Sequence, residues 1–509
     1  MTSIKWLRLL AYVVIGVVAI NVFFVSYIQP LSFDDSYNLQ IAKSLANNFV
    51  YQSSYFPRYI YDHRITTNGA MQYLGALNLK VFGDRIGLGL TLSIVVVFML
   101  GSCLKYSVKT FSAAIVLLVS YPLFNELIAT FLGEICALGF LLLGAHFTRK
   151  KLLTTEASSY RNIDLFEAMS YGLAISTKLV LVVILPFILI GLYCSAKRLE
   201  PKALIEAVLW TTVTYLWSVL VFVAFFYFSC LHSQVSLILF GRDASEFIVS
   251  EPGFWRFVKH HFWQQGALSN ENMLNFHSYS RVWVLFLLIA SAVLLVRVSI
   301  GWIPFVLLTL LMLAFGHMHE RRLFLVIAPA FLLSVDRIFA NFGEAKFSPF
   351  RLSSFARFVP DISVLIIWCY VLISGLHAGM PSSLMASRFD ATKDKLFQWR
   401  ANENSFVLRA QSMEVLKTLQ QDTTPVVTSG WWQYPDLQLV LGRSFYDRMD
   451  SGVAVYLKQT PALLLFDPTN KSWPETSIEM CSEVLVSKPG IVLCRYKTGL
   501  PLNKRWGVD

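Results

Sequence analysis

Residues 9–37 read LLAYVVIGVVAINVFFVSYIQPLSFDDSY, an apolar run that ends shortly before two adjacent aspartates. The apolar part, Leu9 to Ile28, is long enough to cross a bilayer. Lys5 and Arg8 precede it, so the positive-inside rule places the N-terminus in the cytoplasm. The run is long for a signal peptide and lacks a small-residue cleavage site. We therefore predict a membrane anchor that is retained.

The composition extends this prediction to the rest of the chain. Of 509 residues, 55% are hydrophobic and 15% are charged, whereas about a quarter of the residues in a soluble domain are charged. The net charge of +11 does not indicate nucleic-acid binding, because the basic residues lie in short loops between apolar runs, where they set topology. The sequence has no Walker motif, which leaves ATP-driven transport without support.

The pattern of apolar runs predicts a polytopic α-helical membrane protein. Eight further single spans are expected at 86–104, 111–124, 127–147, 204–230, 281–297, 302–317, 323–340 and 361–380. The stretch 164–195 is too long for one span and has basic residues on both sides. Because both flanks should be cytoplasmic, we expect two short helices that turn near Lys178. The total is about eleven transmembrane helices.

The alternation of these spans divides the chain into two predicted domains. A transmembrane domain covers 1–380 and carries outer loops 29–85 and 231–280, and a small soluble α/β domain covers 381–509 on the same outer side. Basic residues at the opposite ends of the spans support this orientation.

Both outer loops contain a predicted surface helix. After Asp35, the apolar residues recur at helical spacing up to Phe49, so we expect an amphipathic helix on the outer membrane surface. In the second loop, aromatic and basic residues alternate from Phe254 to Trp263. This pattern favours an interfacial helix, with a contact surface for a lipid substrate as the alternative.

The tail has the pattern of short strands between helices and loops. We predict strands at 425–428, 437–441, 462–466, 483–486 and 491–495. Cys481 and Cys494 flank a predicted hairpin. Since the topology places them on an oxidising side, we hypothesise a disulfide between them.

Charged residues in or beside a membrane need a physical reason, and the first candidates are Asp34 and Asp35. One carboxylate would suffice as a helix cap, and the second is in excess. A carboxylate at this place could act as general base for an incoming hydroxyl, and a pair could hold a divalent cation. The alternative is capping and solvation alone.

Glu134 and Lys178 are the next candidates. Glu134 lies inside the apolar run Phe131 to Cys136, where a carboxylate has either a functional role or a structural partner. Lys178 lies at the predicted tip of the helical hairpin. Its ammonium group could extend to the membrane surface or face a lipid phosphate.

The segment from Gly316 to Arg322, GHMHERR, forms the last candidate group. Arg321 and Arg322 lie on the predicted outer side, against the positive-inside bias, and arginine is suited to phosphate. We group them with Lys178 and His319 as candidate phosphate-binding residues. Anchoring on lipid headgroups is the alternative, and a metal site at the two histidines lacks a third ligand nearby.

Several stretches together resemble the GT-C superfamily of integral membrane glycosyltransferases, which includes the protein O-mannosyltransferases and the lipid A aminoarabinose transferases. The order of the elements carries the resemblance over about residues 1–340. The matching stretches are Phe33-Asp34-Asp35-Ser36-Tyr37, Ile41 to Leu45, Thr66 to Leu74, Val81-Phe82-Gly83-Asp84 and Gly172 to Lys178. Two departures are Asn68-Gly69-Ala70 in place of the family's prolines and Asp-Asp in place of the commoner Asp-Glu.

The resemblance implies an inverting transfer of a sugar from a polyprenyl-phosphate donor to a glycan, lipid or protein acceptor. Asp35, or else Asp34, would act as base or orient the acceptor, and Glu134 occupies a second acidic position of the family. Arg321, Arg322 and Lys178 would stabilise the departing phosphate.

The resemblance also sets expectations for cofactors, location and sugar class. Some relatives use a divalent metal and others do not, so no cofactor is assigned and the metal stays open. The expected location is a bacterial inner membrane in the cell envelope. The transferred group would be a hexose or a pentose.

Two other classes of function are consistent with a membrane protein of this size. A transporter or flippase for a lipid-linked glycan would show repeated halves and charges within its spans. A scaffold whose tail binds a partner would leave Glu134 and the two aspartates without a purpose.

Overall fold

In this computed structural model, the described residues are 2–28, 31, 33–48, 69–120, 124, 127–154, 164–196, 201–230, 299–315, 324–325, 328–333, 408, 410–428, 434–443, 445–447, 461–468, 478 and 480–497. The predicted spans 281–297 and 361–380 lie outside them, as does loop 231–280. The count of about eleven spans therefore stays a prediction.

The described part of the chain is mostly helical. In chain order the helices are α1 Thr2–Ile28, α2 Phe33–Asn48, α3 Gly69–Phe82, α4 Asp84–Tyr106, α5 Val108–Ser120, α6 Glu134–Thr154, α7 Leu165–Thr177, α8 Leu181–Ala196, α9 Pro201–Cys230, and α10 Ile303–Phe315 after a 3-10 turn at Ile300–Trp302. A short helix α11 at Ala410–Gln421 and another, α12 at Pro435–Leu441, lie in the tail.

The chain divides into two compact units. One consists of residues 1–26, 67–71 and 89–399, and the other of 27–66, 72–88 and 400–509. The first unit contains most of α1 and α4 and all of α5 to α10. The second contains α2, most of α3 and the tail. The predicted division into 1–380 and 381–509 stays a prediction.

Three helices among the described residues are long and apolar enough to cross a membrane. They are Arg8–Tyr27 in α1, Asp84–Tyr106 in α4 and Ile205–Phe225 in α9. Large apolar side chains on α1 and α9, such as Leu10, Val17, Leu209 and Leu216, are exposed. Such surfaces are stable in contact with lipid rather than with water.

The predicted hairpin over 164–195 is present. Asp164 caps α7, with its carboxylate accepting a hydrogen bond from the backbone N–H of Phe166 at 2.9 Å. The helix ends at Thr177, Lys178 is the cap residue, and α8 begins at Leu181. The structure thus confirms a turn at Lys178.

The start of α6 differs from the expected span 127–147. The helix begins at Glu134, because Gly133 has a φ of 82° that a residue with a Cβ rarely adopts. The carbonyl of Gly133 accepts the first helical hydrogen bond, from the N–H of Ala137 at 2.9 Å. Glu134 is therefore the first residue of a helix and does not lie within one.

Helices α6 and α7 pack closely along their length. A Cβ added at Gly144 in α6 would lie 2.5 Å from Cε1 of Tyr171 in α7, so the ring occupies the space that this glycine leaves. The Tyr171 hydroxyl is 2.8 Å from Thr148 Oγ1, which donates to Glu167 Oε1 at 2.5 Å. Glu167 is a buried carboxylate, and these bonds satisfy it at the end of the hairpin remote from Lys178.

The second unit contains a five-stranded sheet in the tail. Its strands are β1 Val426–Thr428, β2 Tyr446–Asp447, β3 Leu463–Phe466, β4 Cys481–Lys488 and β5 Ile491–Tyr496. The order is β2-β1-β3-β5-β4, with parallel pairs among the first three and antiparallel pairs to β5 and β4. Helices α11 and α12 cover one face through an apolar cluster that includes Val415, Leu437 and Leu465. The described residues of the tail thus combine strands with helices, and the soluble α/β domain over 381–509 stays a prediction.

One predicted strand is wrong. Residues 437–441 belong to helix α12, since Pro435 lies at its first position and Gly442 ends it with a φ of 68°. The short strand β2 was not predicted. The strands expected near 425–428, 462–466, 483–486 and 491–495 are present.

The expected surface position of α2 is also wrong, although the helix itself is present. Ser36, Leu39, Gln40 and Ala42 are 2% exposed or less and lie on different sides of the helix. An amphipathic surface helix would leave one side in water. Helix α12 packs against α2, and this contact between distant parts of the sequence is not visible in local periodicity.

Polar contacts connect α2 to its other neighbours in the second unit. Lys43 Nζ lies 2.8 Å from Asp84 Oδ2 at the start of α4, and Gln72 Nε2 of α3 donates to Asn38 Oδ1 at 3.4 Å. The Lys43 and Asp84 side chains are each about a quarter exposed, so solvent weakens this pair.

We predict that Gly144→Ala destabilises the protein by about 1–3 kcal/mol, because the new methyl group must displace the Tyr171 ring. Gly101→Ala in α4 is the control, since its Cβ would meet no described atom within 4 Å. Thermal unfolding in detergent measures both variants. A midpoint for Gly144→Ala equal to that of Gly101→Ala would contradict the close packing.

Cys481 and Cys494 form the hypothesised disulfide, which joins β4 to β5. Replacing both by alanine should lower the stability of the tail by about 3 kcal/mol, because the sequence separation of 13 closes a loop of moderate length. Proteolysis of the purified protein as a function of temperature measures the change. Free thiols at both positions in peptides of the non-reduced protein would show that the bond does not form.

Candidate active site

Glu134 is placed by the turn that precedes α6. Gly133 has a positive φ of 82° in this turn, and the helix that follows has its positive dipole end at the Glu134 side chain. Glu134 is 5% exposed, and its neighbours Phe131, Leu132 and Ile135 are also buried. The carboxylate therefore lies in an apolar environment at a helix terminus.

Lys178 is placed by the end of α7. The hydroxyls of Ser176 and Thr177 both donate to the carbonyl of Leu173, at 2.8 and 2.7 Å. The N–H of Lys178 donates to the carbonyl of Ala174 at 2.9 Å, and its own carbonyl accepts from Leu181 at 3.0 Å. These bonds satisfy the backbone of the turn and leave the long side chain to extend from it.

The two helix ends bring Glu134 and Lys178 together. Lys178 Nζ lies 2.9 Å from Glu134 Oε1, and their side chains are 12% and 6% exposed. The other oxygen, Oε2, is buried without a hydrogen-bond partner among the described residues. Both residues are candidates from the sequence, but their pairing is visible only in the structure.

This ion pair holds an ammonium group at a fixed place. A lysine side chain has four rotatable bonds, and a buried carboxylate restricts it to few conformations. The second carboxylate oxygen of Glu134, Oε2, can accept a further hydrogen bond. A hydroxyl group or a water molecule can therefore donate to it in this site. The arrangement can therefore stabilise an anion and bind a polar group beside it.

Asp34 and Asp35 lie in the first turn of α2. The Asp35 side chain is 5% exposed. The Asp35 carboxylate is therefore shielded from solvent, and its role as a base stays a prediction. The described side chains do not include that of Asp34.

The remaining candidates, His319, Arg321 and Arg322, lie outside the described residues, as does His317. Their grouping as phosphate-binding residues stays a prediction. In the described ranges, no three His, Cys, Asp or Glu side chains come together as a metal site.

Glu167 of α7 is a further buried carboxylate, and it is absent from the candidates that the sequence pattern indicates. Its exposure is 1%, and its hydrogen bond from Thr148 makes it part of a separate polar cluster, remote from Glu134 and Lys178. The sequence contains one indication of this role. Glu167 is an acidic residue near the start of an apolar helix, and a charged residue in such a place usually has a partner.

The fold is similar over nearly its full length to solved structures of ArnT from Cupriavidus metallidurans. The structure bound to undecaprenyl phosphate has a TM-score of 0.56 and 13% identity, and the similarity covers 95% of this chain and 97% of that one. The apo structure has a TM-score of 0.52 and 14% identity, with 97% and 98% covered.

No protein-family model and no curated protein sequence matches this chain. The similarity is therefore one of fold. It confirms the expected resemblance to the lipid A aminoarabinose transferases of the GT-C group at that level. The chain has the fold of ArnT.

We predict that Lys178→Met destabilises the first unit by about 3–5 kcal/mol, because it leaves the Glu134 carboxylate buried without its partner. The double variant Glu134→Gln with Lys178→Met should recover most of this loss. Thermal unfolding in detergent measures each variant.

The control for this prediction is Lys488→Met. It breaks the pair of Lys488 with Glu414, whose side chains are 45% and 50% exposed, so its effect should be below about 1 kcal/mol. Equal unfolding midpoints for Lys178→Met and wild type would show that the buried pair contributes nothing.

Proposed function

We propose that this protein is a membrane glycosyltransferase of the GT-C type that transfers a sugar from a polyprenyl-phosphate donor. The acceptor is a glycan, a lipid or a protein. The observation that carries the proposal is the likeness in fold, over 95% of this chain, to an ArnT bound to undecaprenyl phosphate.

The buried ion pair gives this chemistry a physical basis. When the bond between the anomeric carbon and the phosphate oxygen breaks, its electron pair stays on the phosphate, which gains negative charge. Lys178 stabilises that charge, and Glu134 keeps the ammonium group oriented before the donor arrives. Arg321, Arg322 and His319 are the further proposed phosphate ligands.

Asp35 is the proposed base. It accepts the proton of the acceptor hydroxyl as that oxygen attacks the anomeric carbon from the face opposite the phosphate, which inverts the configuration. Asp34 is the alternative, or it orients the acceptor. The burial of Asp35 supports this role, because a site closed to water strengthens the electrostatic interactions of the carboxylate with an acceptor hydroxyl.

The proposed location is a bacterial inner membrane, with the tail outside the cytoplasm. Disulfides persist in oxidising compartments, and the bond between Cys481 and Cys494 supports this side for the tail. The donor would then be used at the outer membrane face, where a sugar on a lipid carrier needs no nucleotide.

We expect Asp35→Asn and Glu134→Gln each to lower transfer from radiolabelled polyprenyl-phosphate sugars at least about a hundredfold, as loss of a base or of a preorganised charge does. The assay uses membranes with matched amounts of protein. Glu483→Gln is the control, because its carboxylate is exposed and pairs with Arg495 in the tail.

The double variant Glu134→Gln with Lys178→Met separates a structural pair from a catalytic one. A structural pair predicts that stability and transfer recover together. The proposed role predicts that stability recovers while transfer stays low, because no ammonium group is left for the phosphate. Unchanged transfer in Asp35→Asn and Glu134→Gln would overturn the site.

A further inference from the structure

The tail contacts the helix that carries the proposed base. Helices α2 and α12 belong to the same compact unit and pack against each other. Asp35 lies in the first turn of α2, so the position of this helix sets the position of the carboxylate.

Helix α12 is fixed firmly within the tail. Leu437 belongs to the apolar cluster beneath the sheet. Asp436 Oδ2 accepts a hydrogen bond from Ser412 of α11 at 3.3 Å, and Gln438 Oε1 accepts one from the N–H of Phe445 at 3.1 Å. The helix is thus attached on three sides to the α/β fold.

Leu439 is the residue of α12 that these attachments do not explain. Its side chain is fully buried, at 0% exposed, and it is in neither of the two apolar clusters that the described residues form on the faces of the sheet. Successive residues of a helix are about 100° apart, so Leu439 lies about 200° from Leu437 and points away from the sheet. Helix α2 packs on α12, and we assign the burial of Leu439 to it.

The burial of α2 makes such a contact necessary. Ser36 and Gln40 are both 0% exposed, although the helix follows a membrane span in sequence. A buried polar helix keeps one position only when its neighbours hold it. Lys43 and Gln72 provide polar contacts with α4 and α3, whereas Leu439 would provide an apolar anchor from the tail.

We propose that Leu439 is a positioning residue for the transfer reaction, through which α12 of the tail seats α2 and holds Asp35 in its reactive place. The inference rests on the proposed function and gives the tail a role in catalysis. It requires no contact between Leu439 and either substrate.

The first test is hydrogen exchange of the full-length protein in detergent, which does not depend on activity. Leu439→Ala should raise the exchange rate of the α2 amides at least about tenfold, because the loss of the anchor favours local opening. Leu441→Ala is the matched control, since Leu441 is on the same helix and packs against the sheet cluster. It should leave α2 exchange unchanged.

The second test is transfer from a polyprenyl-phosphate sugar. Leu439→Ala should lower kcat about tenfold and change KM for the donor by less than about twofold, because misplacement of a base affects the chemical step. Leu439→Met should restore kcat, since it keeps the volume. If Leu439→Ala does not fold, Leu439→Val removes one methylene and should show the same changes in smaller measure.

The outcomes separate the two proposals. Unchanged α2 exchange in Leu439→Ala and Leu439→Val overturns the inference alone. The same holds for faster exchange with wild-type kcat. Absence of wild-type transfer with every donor overturns the proposed function, and the positioning role with it. Faster α2 exchange, lower kcat and rescue by methionine together support the inference.

Discussion

A buried ion pair between the first residue of one helix and the cap of the next is the constraint on which the described helical unit depends. Removing Glu134 and Lys178 from water is costly, and their attraction offsets that cost only at a good distance. The turn at Gly133 and the hydroxyl bonds of Ser176 and Thr177 provide that distance. The backbone geometry therefore determines whether the two side chains can form the ion pair.

The opposite end of the α6–α7 pair has its own polar contacts. Glu167, Thr148 and Tyr171 form a connected set of hydrogen bonds there, and Gly144 lets the tyrosine ring lie against α6. The α6–α7 pair thus has polar contacts at both ends and close packing at Gly144 between them. Only one register of α6 against α7 makes all of these contacts at once. A shift by one turn would separate each charged group from its partner by about 5 Å.

Sequence reasoning succeeded where a feature was local or followed from charge near the membrane. Basic flanks located the turn at Lys178, and apolar length located α1, α4 and α9. It failed where distant segments decide. Residues 437–441 alternate as a strand would, yet Pro435 and Gly442 are helix signals. The burial of α2 and the pairing of Glu134 with Lys178 both depend on contacts between segments far apart in sequence, which periodicity does not report.

The sheet of the tail has edges that resist pairing with other chains. Among the described strands, β2, which has only two residues, lies at one edge and β4 lies at the other. Strand β4 has an exposed Glu483 and an exposed Lys488, and its register with β5 shifts twice. Charges and irregularities on an edge strand oppose its extension by a second strand. Crowded copies of the protein in a membrane can therefore collide through their tails without forming a continuous intermolecular sheet.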